Sequence, residues 1–502
     1  MLAATNRESV RPALIPILLA VALIAAVTVV AWIAPEALRG PATLATATAV
    51  LLLSYLRWPK AALLVFAMFI LFYNTFARWL TPSLEQLDEV VVPGLVVLSA
   101  WRLRPWQKGL IEPVRDGAVV ALMLLAVVSS VVNGVPLNLW LVGLLLLAKV
   151  IAFLYVVMWH DFTLDDVRYF TPLVLGVGVL VLALGAVEMI DPPAFQKFLN
   201  LTEINVPRGQ LPSIKSLFYH PVLFSWFTAF IALFLFSYYI VFRRWWLLIA
   251  AAAFGLGTLL AARRRTIVGA AIGLGVGLLN QLRHARSRGG EARSWLPVVA
   301  SVLVLVVLFL PGLIGLYQLT LRETGPPGQM PEGADQQARI LMYTTSAEIA
   351  RDYFPLGSGL GRFGSTGSRL EYSPIYEQYG LDEVFGLRPS DAQYITDTFW
   401  PRILGETGIF GLAAYLAFAG AIAVALWRIC GMATTRDPYL RAFTLGTLMI
   451  FGETLVETLA SSMFDSPPRI YLIFGAVGMC LAFRRRYLAP EANAELAPES
   501  AS

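Results

Sequence analysis

The stretch NLWLVGLLLLAKVIAFLYVVMW, residues 138–159, decides the solvent in which this chain folds. It holds one charged residue, Lys149, and no proline or glycine pair to break it. A helix rises about 1.5 Å per residue, so a run of this length reaches roughly 33 Å, enough to cross a hydrocarbon layer of about 30 Å. Working outward, comparable runs recur at 13–33, 42–56, 61–77, 88–101 and 116–132 on the N-terminal side. On the C-terminal side they lie at 169–190, 221–241, 245–261, 265–282, 296–318, 399–428, 440–460 and 469–484. The expected fold class is all-α, a polytopic integral membrane protein of about 12–14 transmembrane helices.

Composition agrees. The chain has 502 residues, 58% apolar and 14% charged, with a mean hydropathy of +0.69. Soluble domains carry roughly 25% charged residues, and a soluble fold has no means of hiding this much apolar surface. The first apolar run, 12–33, is longer than the roughly 7–15 residues of a signal-peptide core, so it is read as a retained helix. Two cysteines, Cys430 and Cys480, give no disulfide framework. Three histidines, His160, His220 and His284, are scattered, so no metal centre and no cofactor are expected. The net charge of +5 is spread over helix ends, and no nucleic-acid partner is expected.

Lys and Arg in short loops mark the cytoplasmic side. With the N-terminus inside, the even-numbered spans end at Arg57 and Lys60, at Arg102, Arg104, Lys108 and Arg115, at Arg243 and Arg244, and at Arg283, Arg286, Arg288 and Arg293. The last two such ends carry Arg428, Arg436 and Arg441, then Arg484, Arg485 and Arg486. Outside loops such as 133–138 and 461–468 lack both residue types, whereas the acidic loop at 160–168 fits the rule poorly. Both termini are therefore expected in the cytoplasm. The division that follows is a block of about 11 spans at 1–318, one large outer loop at 319–398, about 3 spans at 399–486 and a polar tail at 487–502. A loop of that length is functional or disordered. Its amphipathic stretch near 338–353 implies a folded, partly helical segment on the outer face, with Ile340, Leu341, Ile349 and Phe354 turned to the bundle.

Arg263, Arg264 and Arg265 break the charge rule, because the topology puts three cations at an outer helix end. A phosphate is the natural counter-charge, since guanidinium groups fork onto its oxygens; snorkelling to lipid headgroups is the competing account. Arg339 opens the amphipathic stretch, and the outer loop also carries Arg362. The run PLGSGLGRF, 355–363, has no preceding strand and no cytoplasmic placement, so its glycines end a helix and allow tight turns and hold no nucleotide. Asp397 stands at the entry to the twelfth span, as a helix cap or as an acid–base group. Arg402 and Glu406 are four apart and can pair on one helix face. Lys149, Glu188, Glu453 and Glu457 are intramembrane charges, which are costly and need partners.

Three segments together resemble the O-antigen ligase and polymerase superfamily of bacterial surface-polysaccharide assembly, over about 208–411. LLAARRRTIVG, 259–269, looks like its Ser-Arg-Gly helix opening, with Arg265 on the arginine. RILMYTTSAEIARDYFPLGSGLGRF, 339–363, looks like its loop helix and glycine run, and 397–412 looks like its His-Asn-x-Tyr-Leu…Glu-x-Gly motif. His220-Pro221 suits the family's pattern at the eighth span. Asp397 and Thr398 stand where the ligases carry His and Asn, which tilts the resemblance towards a polymerase.

The resemblance implies a membrane glycosyltransferase of the bacterial inner membrane acting on an undecaprenyl-diphosphate-linked glycan. A ligase that transfers the glycan to lipid A-core is the alternative, and a flippase for the same lipid is a second. It implies Arg265, Arg339 and Asp397 as catalytic, with Arg263, Arg264, His220 and Arg362 on the diphosphate and lipid. Arg402, Glu406, Glu453, Glu457 and Tyr394 would bind or support the acceptor. Inversion without a divalent metal is expected, because the outer loop has no D-x-D pair. Membrane lipid, a chain-length regulator and a flippase are the partners it implies.

Overall fold

Hydrocarbon offers no hydrogen bonds to a backbone, and a helix satisfies its N–H and C=O groups within one segment. The computed structural model describes residues 10–105, 112–201, 214–261, 263–287, 334–433 and 437–488; among these the regular structure is helical, with no strand. The helices are α1 (Val10–Ile33), α2 (Glu36–Arg57), α3 (Pro59–Leu71), α4 (Tyr73–Trp79), α5 (Leu87–Leu103), α6 (Pro113–Val132), α7 (Leu137–Trp159), α8 (Leu164–Glu188) and α9 (Pro192–Phe198). They continue as α10 (Pro221–Phe242), α11 (Trp245–Leu260), α12 (Arg264–Ser287), α13 (Ala334–Asp352), α14 (Thr366–Leu370) and α15 (Pro374–Gln378). The last three are α16 (Trp400–Ala433), α17 (Pro438–Glu457) and α18 (Arg469–Phe483).

Eight of these have the length and apolarity of a membrane crossing: α1, α2, α6, α7, α8, α10, α12 and α16. The run expected as one span at 61–77 is two helices, α3 and α4, bent by 65° between Leu71 and Tyr73; counted as one they make a ninth. The expected spans at 88–101, 245–261 and 469–484 form helices of 17, 16 and 15 residues, and α17 carries Arg441, Glu453 and Glu457. The count of fourteen therefore contracts to eight, or nine, among the described residues; the expected span at 296–318 and the tail beyond 488 lie outside them. Helix α10 is the hub, with 78% of its apolar window buried, whereas α2 and α8 bury 17% and present leucines and valines outward.

The segment at 334–399 folds around its own core of Met342, Ile349, Phe363, Ile375, Tyr376 and Leu387. The buried face of α13 is Ala338, Met342 and Ile349, while Ile340 and Phe354 are 55% and 67% exposed. The four residues expected to face the bundle do otherwise: Ile349 and Leu341 turn to this segment's own core, and Ile340 and Phe354 turn outward. The reason is helical phase: Ala338, Met342 and Ile349 follow the i, i+4, i+11 line of one face, and Ile340 lies off it.

Glycine spacing sets the close approach of α12 to α17. Gly269, Gly273 and Gly277 recur every four residues along α12, and a Cβ at Gly273 would sit 2.3 Å from the Met449 carbonyl oxygen of α17. Such stripes of small residues let backbones approach where lipid supplies no hydrophobic drive. Gly269 lies against Glu453 in the same way. One turn further towards the outer segment, this packing brings Arg265 to Glu457.

Candidate functional site

Arg265 is placed by the last turn of that packing. Its Nε lies 3.4 Å from Glu457 Oε1 and its Nη1 donates to the Ala460 carbonyl at 2.9 Å. Arg469, the first residue of α18, reaches the same Glu457 oxygen at 3.3 Å. Arg263 is 5% exposed and its carbonyl accepts the first backbone bond of α12 from Ile267. Of Arg264 only the backbone is described.

His220 caps α10 by accepting from the Val222 amide at 3.1 Å. Burial, then Arg263, Arg265, Arg469 and Lys215 in that order, holds its imidazole neutral, down to about 3. Those four cations therefore surround His220; Arg265 and Arg469 share Glu457, and Lys215 lies by Glu188. Against Glu188, Glu453 and Glu457 the four cations leave one formal positive charge, which favours an anion nearby.

Arg339 reaches the neighbourhood from the other side. Its Nη2 donates to Asp397 Oδ2 at 2.8 Å, and both side chains are partly exposed. One helical turn on, Tyr343 donates its hydroxyl to the Leu459 carbonyl at 2.8 Å. Trp400 Nε1 donates to Thr458 Oγ1 at 3.2 Å. Arg265, α13 and the start of α16 thus converge on one turn, 458–460, between α17 and α18. Asp397 is not a side-chain cap of α16; its carboxylate faces Arg339.

Arg402 and Glu406 pair as the spacing implies, at 3.2 Å, fully within the protein. Their role is to fasten the glycine run. Glu406 Oε1 accepts the amides of Gly361 and Phe363 at 2.7 and 3.2 Å. Ser358 and Gly359 donate to the carbonyls of Gly405 and Glu406. Gly408 (φ +68°) interrupts α16, and a Cβ there would meet the Pro355 oxygen at 2.4 Å, so only glycine lets the two backbones touch. Arg402 also bonds Asp465 through Nη1. Burial holds the Asp465 carboxyl above its ordinary range, and Arg402 opposes that shift.

Two sequence-selected residues stand apart from this turn. Arg362 donates to the Asn133 carbonyl at the end of α6. Tyr394 packs its ring over Gly386 inside the outer segment and accepts the Asp397 amide on its carbonyl. Glu453 lies one turn deeper than Glu457 and accepts from Thr454. Sequence reasoning missed Arg469, although its place after a proline pair at a helix start was visible, and missed the glycine stripe that registers α12 against α17. Compared with protein-family models and with curated protein sequences, the chain matches none.

Proposed function

We propose that this protein is a membrane glycosyltransferase that polymerises polyprenyl-diphosphate-linked oligosaccharides at the periplasmic face of the bacterial inner membrane. The observation that carries the reading is the convergence of Arg265 and the Arg339–Asp397 pair on the turn at 458–460, beside the cation cluster around His220. A diphosphate carries the negative charge that such a cluster lacks, and guanidinium forks match its oxygens. The alternation of Lys and Arg along the chain supports the outer placement of this end.

In this reading the lipid diphosphate lies against Arg265 and Arg469 and competes with Asp397 for Arg339. Binding draws Arg339 onto phosphate and releases the carboxylate. An acceptor hydroxyl then attacks the anomeric carbon from the face opposite the diphosphate. The new glycosidic C–O bond forms as the old one to phosphate breaks, so configuration inverts. Asp397 takes the hydroxyl proton, and the arginines hold the charge that develops on the leaving diphosphate. Fixed donors of this kind commonly account for about 10²–10³ each in rate. Asp397 in place of the ligases' His favours polymerisation over ligation.

Purified protein in liposomes, given a polyprenyl-diphosphate glycan, tests this directly. A ladder of lengthening glycans is expected, lost in Arg265→Ala and Arg339→Ala proteins that elute and melt as the wild type does. Full chain growth by both variants would end the phosphate-clamp reading. Movement of donor across the bilayer with no new bond would make the protein a transporter.

A further inference from the structure

Beside the convergence just described lies a polar cavity of about 210 Å³. Four carboxylates, Glu85, Asp88, Glu89 and Asp465, and two cations, Lys149 and Arg402, line it. The formal balance is four negative charges against two positive, the reverse of the cluster around His220. This cavity therefore repels a diphosphate.

Asp88, Lys149 and Arg402 are 1%, 4% and 3% exposed. Lys149 Nζ lies 2.7 Å from Asp88 Oδ2, and the same oxygen accepts from Tyr471 at 2.8 Å. Burying ions costs several kcal/mol each, and a purely structural network recovers this by using every donor and acceptor. Here two atoms are left over. Asp88 Oδ1 and Arg402 Nη2 meet no hydrogen-bonding group of the protein, and both side chains line the cavity. Buried polar atoms are overwhelmingly satisfied, so one acceptor and one donor are held ready for something that supplies both kinds of partner. A hydroxyl does so, being donor and acceptor at once. The Tyr73 ring and the Thr366 and Thr396 side chains complete the wall with an aromatic face and further hydroxyls. The volume is below the roughly 300–1,000 Å³ of drug-sized ligand sites, which limits the occupant to about one ring.

We propose that this cavity binds a single uncharged saccharide ring, with Asp88 accepting from one ring hydroxyl and Arg402 donating to another. Thr396, on the cavity wall, is the chain neighbour of Asp397, the carboxylate assigned above as proton acceptor. That this is the acceptor subsite rests on the transferase reading; that it holds a saccharide does not.

Saturation-transfer NMR on the purified full chain, with free hexoses and N-acetylhexosamines as probes, tests the site. At least one sugar is expected to receive saturation from the wild type. Thr366→Trp fills the cavity without touching an ion pair and is expected to abolish the transfer. Asp88→Asn removes a charged acceptor and weakens binding by about tenfold, and Arg265→Ala leaves binding unchanged. Absence of transfer from the wild type to every sugar, or wild-type transfer in the Thr366→Trp protein, overturns the proposal, and the latter decides even where Asp88→Asn does not fold. Sugar binding without chain growth in liposomes upholds this site and refutes the transferase reading. Chain growth by a Thr366→Trp protein at the wild-type rate refutes the acceptor assignment alone.

Discussion

Replacing Gly273 by valine puts the close packing of α12 on α17 to a quantitative test. The first added atom would sit 2.3 Å from the Met449 carbonyl oxygen and 3.2 Å from the Glu453 nitrogen, both backbone atoms of α17. Ordinary contact begins near 3.4 Å, so the helices must separate by about 1.1 Å at this point, and the two methyls of valine ask for more. Overpacking of this kind costs about 1–3 kcal/mol, a factor of about 5–150 in the folded-to-unfolded ratio. The same displacement opens the 3.4 Å contact of Arg265 with Glu457 beyond hydrogen-bond reach, so donor binding falls as well. Gly275, two residues away on α12, has nothing within 4 Å of its would-be Cβ and serves as the control. The assay is thermal unfolding in detergent, read by intrinsic tryptophan fluorescence, beside glycan-ladder formation in liposomes. Gly273→Val is expected to lower the midpoint and the ladder together while Gly275→Val changes neither. Equal effects of the two substitutions, or none from Gly273→Val, would refute the argument that backbone proximity registers these helices.

Three further outcomes are expected. Asp397→Asn keeps the shape and most of the contact with Arg339 but removes the base, so turnover in the liposome assay falls by roughly 10²–10⁴-fold with unchanged melting; a rate within threefold of wild type refutes the base role. Glu406→Ala strips a buried arginine of one of its two carboxylate partners and two amides of their acceptor, a loss of about 2–4 kcal/mol; limited proteolysis should then cut within the glycine run, and a protected run would count against the fastening role. His220 is neutral in the folded protein down to about 3 while an unfolded histidine titrates near 6.5. Between those values the unfolded chain binds the extra proton, so stability is complete above about 6.5 and declines as the pH falls towards 3. His220→Asn keeps a capping oxygen and should flatten the change in melting midpoint between pH 7 and pH 5; an unaltered slope would show that other groups carry it.

Much of the architecture was legible because lipid imposes a coarse rule, a run of about 20 apolar residues per crossing. The helices at 137–159, 221–242 and 400–433 obey it plainly. The rule failed at 61–77, where α3 and α4 meet at a bend, because hydropathy registers length and is blind to direction. Helices α5, α11 and α18, at 17, 16 and 15 residues, fall short of it. The pairing of Arg402 with Glu406 was readable from its spacing of four, since both lie on one helix. The meeting of Arg339 with Asp397, and of Arg265 with Glu457, was not, because each joins elements far apart in the chain. The face of α13 was misjudged at Ile340, where apolar character alone does not fix helical phase, and Phe354 lies beyond the end of the helix.

The connection between α17 and α18 is short and borders two places at once. Its carbonyls at Leu459 and Ala460 receive Tyr343 and Arg265, and a few residues on Ser462 and Asp465 form part of the polar cavity. Strain introduced at either border has little chain in which to dissipate. On the proposed function, occupation of one border would change the work of filling the other, and thermodynamic reciprocity would make the influence equal in both directions. Built this way, the protein would sense that donor and recipient are present together, through a handful of peptide units.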